Sequence, residues 1–509
     1  MNYNDDEPKT LYDKNKDNFI NPYYKRQNIE DTDKKIKENQ ETADNAGGGK
    51  YYPLDDTGNA NRLVDRYGDC FRYNVKDKCW MIFDGATWRR DNTQEIKRYA
   101  DKLIDYLRYE LRTMDTARDT AYTDSFYKNI KRLSNSSGKK AMLDEVIHLG
   151  KTAVGNNDFD KQPDLLNCKN GVVNLKTGEI MLHDRNLMMR KCTNINVDME
   201  HEPTRWLQYL NEVFQGNKEL IDYIQCAVGY SLTGYNIEQC MFQLSGYGGN
   251  GKSVFIDTLQ TIMGDYAIVI DTATITAKKF NNAGSASPDK AKINGARLLC
   301  ANEPDEGTRL DESFVKILVG GDTVVARNLF GDEFEFKPVG KLWVSTNYQL
   351  TIRGRDDGIW RRQRIIPFKR KFEEHEKDKM LTYKLAQEAP QILGWAVKGA
   401  MRWLNGNQPK TPAVIEDATR QYRTEMDIIA MFLKDNISLT PTGREKASDV
   451  YKSYVKWCRL GNEFQMSQSA FGKEMTKKYQ KRLIAGYYYY MGFVLKENDH
   501  AYVFTKENM

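Results

Sequence analysis

The sequence predicts an α/β protein: a parallel-sheet core with a phosphate-binding loop, set between an N-terminal α+β unit and a C-terminal winged-helix-like unit. Three observations predict it. Gly246-Tyr247-Gly248-Gly249-Asn250-Gly251-Lys252-Ser253 fills every fixed position of a G-x-x-x-x-G-K-[ST] loop and follows the apolar run Cys240-Met241-Phe242-Gln243-Leu244. Two further apolar runs, 296–301 and 341–346, follow at the spacing of an α/β core, and each ends in polar residues. Beyond Asp427, helical periodicity gives way to strand-like runs rich in tyrosine.

Taken in order, residues 1–55 are dense in Asp, Lys, Asn and Glu and lack a fixed apolar period, so they read as a disordered polar arm. Within it, Gly47-Gly48-Gly49-Lys50 has no strand before it and no Ser or Thr after it, and reads as a linker. Residues 56–200 form the N-terminal α+β unit. It opens at Asn59, carries a hairpin turning at Asp84-Gly85, continues through helical stretches at 93–116 and 125–153, and closes with a strand patch at 165–175.

Residues 201–410 form the core, entered through helical stretches over 204–232. Between its second and third strands, two extended runs around Phe330-Gly331-Asp332 predict a β-hairpin over 324–337. A Gly/Pro-rich joint at 405–412 then leads to the last unit, 411–509, which becomes a distinct module from Asp427. There Ser448-Asp449 precedes a helix bearing Val450, Tyr451, Tyr454 and Trp457, and Ser467 caps a helix running to about Leu483. On that second helix Phe471, Met475 and Tyr479 recur every four residues, with Lys473, Lys477 and Lys481 on the roughly opposite face. One face docks on a core and the other meets phosphates, with wing strands expected from 484–495 and 501–504.

The loop's chemistry follows from its residue types. Gly246, Gly248, Gly249, Asn250 and Gly251 let backbone N–H groups wrap phosphates, Lys252 reaches the β and γ oxygens, and the Ser253 hydroxyl ligates Mg²⁺. A helix running on from Val254 turns its positive end toward the anion. The polar strand ends, the loop itself, Asn302-Glu303 and Asn347, are expected to converge, because ligands sit at the carboxyl ends of parallel strands.

Composition bounds the remainder. The 509 residues carry 76 Lys and Arg against 71 Asp and Glu, a formal charge of +5, so nucleic-acid binding would need local basic patches. No apolar run of about 18 residues occurs and the first residues are polar, which predicts a soluble chain without a signal peptide or membrane contact. Eight cysteines are scattered without a C-x-x-C pair, so neither a zinc site nor a disulfide framework is expected, in keeping with a reducing cytosol.

With these motifs, Thr57-Gly58-Asn59-Ala60, Asn170-Gly171-Val172-Val173-Asn174-Leu175, Asn302-Glu303-Pro304, Val319-Gly320-Gly321-Asp322 and residues 360–368, the chain resembles a superfamily 3 helicase of the AAA+ class. The branch is that of phage and plasmid primases and poxvirus primase-helicases, and the resemblance spans about 57–372. It is similar to the replication initiator helicases of Gram-positive phages and pathogenicity islands. That resemblance implies ATP and Mg²⁺ as cofactors, with Glu303 near the metal orienting the attacking water and Asn347 sensing the γ-phosphate. Asn302 stands where many relatives carry an acid, so Asp305 or Glu306 would share the metal role.

The resemblance further implies a homo-oligomeric ring, a hexamer, in the bacterial host cytoplasm. Arg361 and Arg362 would reach a neighbour's nucleotide, and Lys316 would sense it across the boundary. Arg327, Phe330 and Lys337 of the hairpin would grip single-stranded DNA in the pore, although Asp332 and Glu333 depart from a basic tip. Duplex origin DNA would meet the C-terminal module, and any primase would be a separate polypeptide. Two other readings are a non-unwinding, ATP-switched origin-binding protein that recruits another helicase, and an RNA-directed viral helicase.

Overall fold

The computed structural model describes residues 52–114, 120–277, 288–302, 308–327, 333–354, 357–460 and 465–496. Most of the arm read at 1–55, together with Glu303, Asp305, Glu306, Phe330 and the run 501–504, lies outside the described residues.

The chain enters through the helix Asp56–Tyr67, started by Asp55, whose carboxylate accepts the Gly58 N–H at 2.7 Å. Strands β1 (Phe71–Asn74), β2 (Cys79–Phe83) and β3 (Trp88–Arg90) follow, and β4 (Ala153–Val154) joins parallel to β1, giving the order β3-β2-β1-β4. The β2–β3 turn forms at Asp84-Gly85 as expected: Asp84 accepts the Ala86 and Thr87 N–H groups, and Gly85 takes φ +104°. The helical stretch read over 125–153 consists of two helices, Thr120–Leu133 and Ser136–Val146, and ends before β4. Ser134 bonds back to the Ile130 carbonyl as the first helix ends, and Gly138 lies so near Arg132 that a Cβ would sit 2.3 Å from its oxygen. Leu63, Phe71, Leu103, Phe126 and Met142 fill the core. Inside it Asn59 and Asn129 exchange two amide hydrogen bonds of 2.9 and 3.0 Å, so neither buried amide is left wanting.

Strands β5 (Leu165–Cys168), β6 (Gly171–Asn174) and β7 (Ile180–Met181) make a small antiparallel sheet. Its buried residues Leu166, Cys168 and Val173 belong to the same cluster as Trp206, Tyr209 and Phe255. The patch thus packs with the central region that follows it.

The centre is a five-stranded parallel sheet of β8 (Met241–Ser245), β9 (Ala267–Val269), β10 (Leu298–Asn302), β13 (Lys341–Thr346) and β14 (Gln363–Pro367), in the order β14-β8-β13-β10-β9. Strands β11 (Val324–Arg327) and β12 (Glu333–Phe336) stand apart as the expected antiparallel hairpin. Side chains alternate across the sheet. Phe242, Leu244, Cys300, Trp343 and Ile366 face a layer that includes the helices Lys252–Met263 and Ala389–Leu404. Met241, Leu299, Val344 and Ile365 face the helix Glu312–Gly320 and the hairpin's Val324 and Ala326. A parallel sheet covered on both faces reads as near-continuous apolar runs, which is why three of these strands are visible in the sequence. The helix Ala413–Glu425, beyond the joint, also belongs here: Ile415 and Tyr422 are buried in the two central clusters.

Beyond Asp427, which accepts the Ile429 and Ala430 N–H groups, lie the helix Ile428–Asn436, β15 (Ile437–Lys446), the helices Ala447–Leu460 and Gln468–Lys478, β16 (Lys481–Ile484) and β17 (Tyr487–Leu495). The antiparallel sheet runs β15-β17-β16 over a core of Phe432, Tyr454, Phe471, Met475 and Phe493. Among the described residues no helix is long and apolar enough to cross a membrane.

Candidate functional site

The ladder sets the carboxyl ends of three strands side by side: Ser245 pairs with Thr346, and Asn302 pairs with Ser345. From Ser245 the chain turns through the glycine loop into the helix Lys252–Met263. Gly249 and Gly251 take φ of +78° and +91°, a region that side chains resist. At Gly246 a Cβ would fall 2.2 Å from the Asn250 amide and 2.4 Å from the Phe368 oxygen. Gly248 has open space around it.

Two flanking contacts hold the loop. The buried Asn250 donates through Nδ2 to the Phe368 carbonyl at 2.8 Å, tying the loop to the end of β14. The Tyr209 hydroxyl donates to the Gly251 carbonyl at 2.8 Å, tying its far end to the helix Thr204–Val213. No local signal in the sequence marks Tyr209, which lies 42 positions from its partner.

Lys252 is buried, and its ammonium donates to the Gly246 carbonyl at 2.6 Å, to Asn250 Oδ1 at 2.9 Å and to Asn347 Oδ1 at 3.0 Å. Two residues expected at this site, Lys252 and Asn347, therefore meet. Ser253 is exposed in the first helical turn, beside the half-buried Val254, where unpaired N–H groups and the positive helix end favour an anion. Backbone, cation and hydroxyl would suit a phosphate chain, with the Ser253 hydroxyl placed where it would ligate an accompanying divalent ion. Asn302 ends β10 exposed, and its neighbour Glu303 lies outside the described residues.

Other expected residues lie elsewhere. Arg361 and Arg362 precede β14, at the opposite end of the sheet from the loop, because Gln363 pairs with Met241, the first residue of β8. Arg361 donates to Gln239 Oε1 at 3.2 Å beside a cavity of about 450 Å³, and Arg362 donates to the Gly358 carbonyl at 2.6 Å. Lys316 sits half-buried on the helix Glu312–Gly320, on the face of the sheet away from the loop's helix. Arg327 is exposed at the end of β11 opposite Glu333, and Lys337 is exposed just after β12, while Phe330 between them is outside the described residues.

The C-terminal lysines are not one helical face. Ser467 caps as expected, with its hydroxyl accepting the Ala470 N–H, but the helix ends at Lys478. Tyr479 turns to extended backbone and its ring packs 4.6 Å from Phe493, which breaks the four-residue period. Lys473 and Lys477 stay exposed on the helix, whereas Lys481 opens β16 and lies 4.2 Å from the Tyr488 ring. Of the runs expected as strands, 484–495 contains β17, preceded by β16, and 501–504 lies outside the described residues.

Residues 60–215 match the family model described as D5 N terminal like, and residues 244–362 match a family of unknown function, DUF5906. "Putative helicase L207/L206" of Acanthamoeba polyphaga mimivirus is 26% identical over 435 residues, covering 78% of this chain and 45% of that protein. "Putative helicase 022R" of Frog virus 3 is 26% identical over 279 residues, 51% of this chain and 28% of that one. "Putative primase C962R" of African swine fever virus is 22% identical over 399 residues, 72% and 41%. The chain spans less than half the length of these relatives, and they come from viruses of eukaryotes. A solved structure of the NrS-1 C-terminal region aligns at a TM-score of 0.45 and 11% identity, over 86% of this chain and 99% of that chain, too loosely to bear on function.

Proposed function

From similarity to D5-like and viral helicase and primase proteins, we propose that this chain is the ATP-driven motor of a DNA replication helicase, a superfamily 3 AAA+ ring, and that it engages its origin. The observation that carries this reading is Lys252, held across the glycine loop and bonded to Asn347 just past the end of the neighbouring strand β13. A lysine so placed exchanges neutral acceptors for phosphate oxygens when nucleotide enters, and Asn347 then registers the change.

In this reading the loop's N–H groups and Lys252 hold the β- and γ-phosphates, and Ser253 ligates Mg²⁺. Mg²⁺ supplies neutralisation of phosphate charge when bound. Glu303 orients and deprotonates the attacking water. Arg361, Arg362 and Lys316 act on the nucleotide of an adjoining subunit in a hexamer. Arg327, Phe330 and Lys337 hold single-stranded DNA, and the C-terminal unit, whose helix-strand-helix-helix-strand-strand order supports a winged helix, holds duplex through Lys473, Lys477 and Lys481.

The test is strand displacement on a forked DNA duplex with ATP and Mg²⁺, with Lys252→Ala beside the wild type. Unwinding by the wild type and none by the variant is expected. DNA-stimulated ATPase without unwinding would replace the motor with the second reading, an ATP-switched origin-binding protein that recruits another helicase. Both readings use the C-terminal unit for duplex, where Tyr487, Tyr488, Lys473 and Lys477 are exposed.

A further inference from the structure

On the face of the sheet away from the helix Lys252–Met263, a cavity of about 630 Å³ opens beside the glycine loop. Its walls include Gly246 and Tyr247 of the loop, Ile365 and Pro367 of β14, and Tyr422 of the helix Ala413–Glu425. Gln243 also lines it, from the middle of β8, and is 1% exposed. Strand alternation sends Phe242 and Leu244 to the other face, so Gln243 shares this one with Met241.

A buried strand position lined by Ile365 and Tyr422 would ordinarily hold an apolar residue, and Gln243 is out of place there. Its amide lies against the Tyr422 hydroxyl, which itself donates to the Leu350 carbonyl. Neither Nε2 nor Oε1 completes a hydrogen bond of ordinary geometry. Leaving a buried amide in that condition costs stability unless a ligand's polar edge reaches it.

We propose that this cavity takes the nucleobase of the bound triphosphate and that Gln243 selects adenine by a two-point amide contact. The proposal rests on the phosphate-loop reading above. At ~3.3 Å per residue, Gln243 lies ~7 Å behind the end of β8, about the span a ribose puts between phosphates and base. A glutamine amide offers a donor beside an acceptor, matching the N7 acceptor and N6 amino donor of adenine. Guanine presents two acceptors on that edge, N7 and O6, so one contact would set acceptor against acceptor.

The test is equilibrium binding of non-hydrolysable ATP and GTP analogues with Mg²⁺ to the full chain, as wild type, Gln243→Leu and Lys252→Ala. The wild type is expected to prefer the ATP analogue by roughly ten-fold or more, the scale of one bidentate base contact. Gln243→Leu should lose most of that preference through weaker ATP binding, while its unliganded melting temperature stays level or rises because the unpaired amide is gone. Gln243→Met serves in the same comparison if the leucine variant fails to fold. An unchanged ATP-to-GTP ratio in the variant, or no base preference in the wild type, overturns the proposal while leaving the loop reading intact. If the wild type binds neither analogue, or Lys252→Ala binds as tightly as wild type, the loop reading fails and takes this proposal with it.

Discussion

Lys252 and Asn347 are 3.0 Å apart although 95 positions separate them. Each was legible alone, the lysine from its motif and the asparagine as the polar end of an apolar run. Their contact was not legible, because it depends on β13 lying next to β8. At the other end of the sheet, two buried cations had no local signature. Arg297 donates to the Leu232 carbonyl at 2.7 Å, and Lys341 donates to the carbonyls of Thr233, Tyr235 (3.1 Å) and Val339 (3.0 Å). They meet the end of the helix Lys218–Leu232, where carbonyls lack partners and the dipole is negative. Removing Lys341 leaves those carbonyls buried and unpaired, so Lys341→Met should cost about 3 kcal/mol in denaturant unfolding. Burial, reinforced by Arg297, holds the Lys341 pKa well below the ordinary lysine range. Between that lowered value and the unfolded ~10.4 the unfolded chain binds more protons. Lys341 therefore makes stability rise with pH in that window, and the Lys341→Met variant should lack this contribution when unfolding is measured toward pH 10.

Elements whose signals are local formed as read: the Asp84-Gly85 turn, the 324–337 hairpin, the Ser467 cap and the core strands β8, β10 and β13. Two further sheet strands escaped. β9 has only Ala267-Ile268-Val269, and β14 opens in a run of arginines that reads as a basic edge. The helix Gln468–Lys478 was read too long because Tyr479 repeats its period yet packs on β17. The helix Ala413–Glu425 follows a Gly/Pro-rich joint that suggests a boundary, but Ile415 and Tyr422 are each about 1% exposed in the central clusters. Burial of two such side chains is worth ~3 to 6 kcal/mol together. A chain ending at Met426 should keep its melting temperature and ATPase and lose duplex affinity. One ending at Pro412 should be destabilised or aggregate. Equal stability of the two, by thermal melting, would refute the assignment of this helix to the core.

At the scale of the whole molecule, the proposed trans-acting arginines and the phosphate loop stand at opposite ends of the parallel sheet. On that proposal Arg361 and Arg362 would act on nucleotide only through an adjoining copy. The double variant Arg361→Ala with Arg362→Ala should bind nucleotide normally and turn it over at least 10³-fold more slowly. Mixing it with Lys252→Ala subunits should restore part of the ATPase, since each copy supplies what the other lacks. No recovery at concentrations where the wild type is fully active would count against a shared site. By itself the sequence determined what depends on neighbours in the chain: the glycine loop and its lysine, the strand runs, the turns and the caps. Such features are written in backbone freedom and short-period burial, which a few consecutive residues suffice to specify. Only the tertiary structure decided the strand order, the meeting of Lys252 with Asn347, the membership of β5, β6 and the helix Ala413–Glu425 in the central cores, and the cavity lined by Gln243. Each of these is set by which distant faces exclude water against one another, and that choice is made across the whole chain.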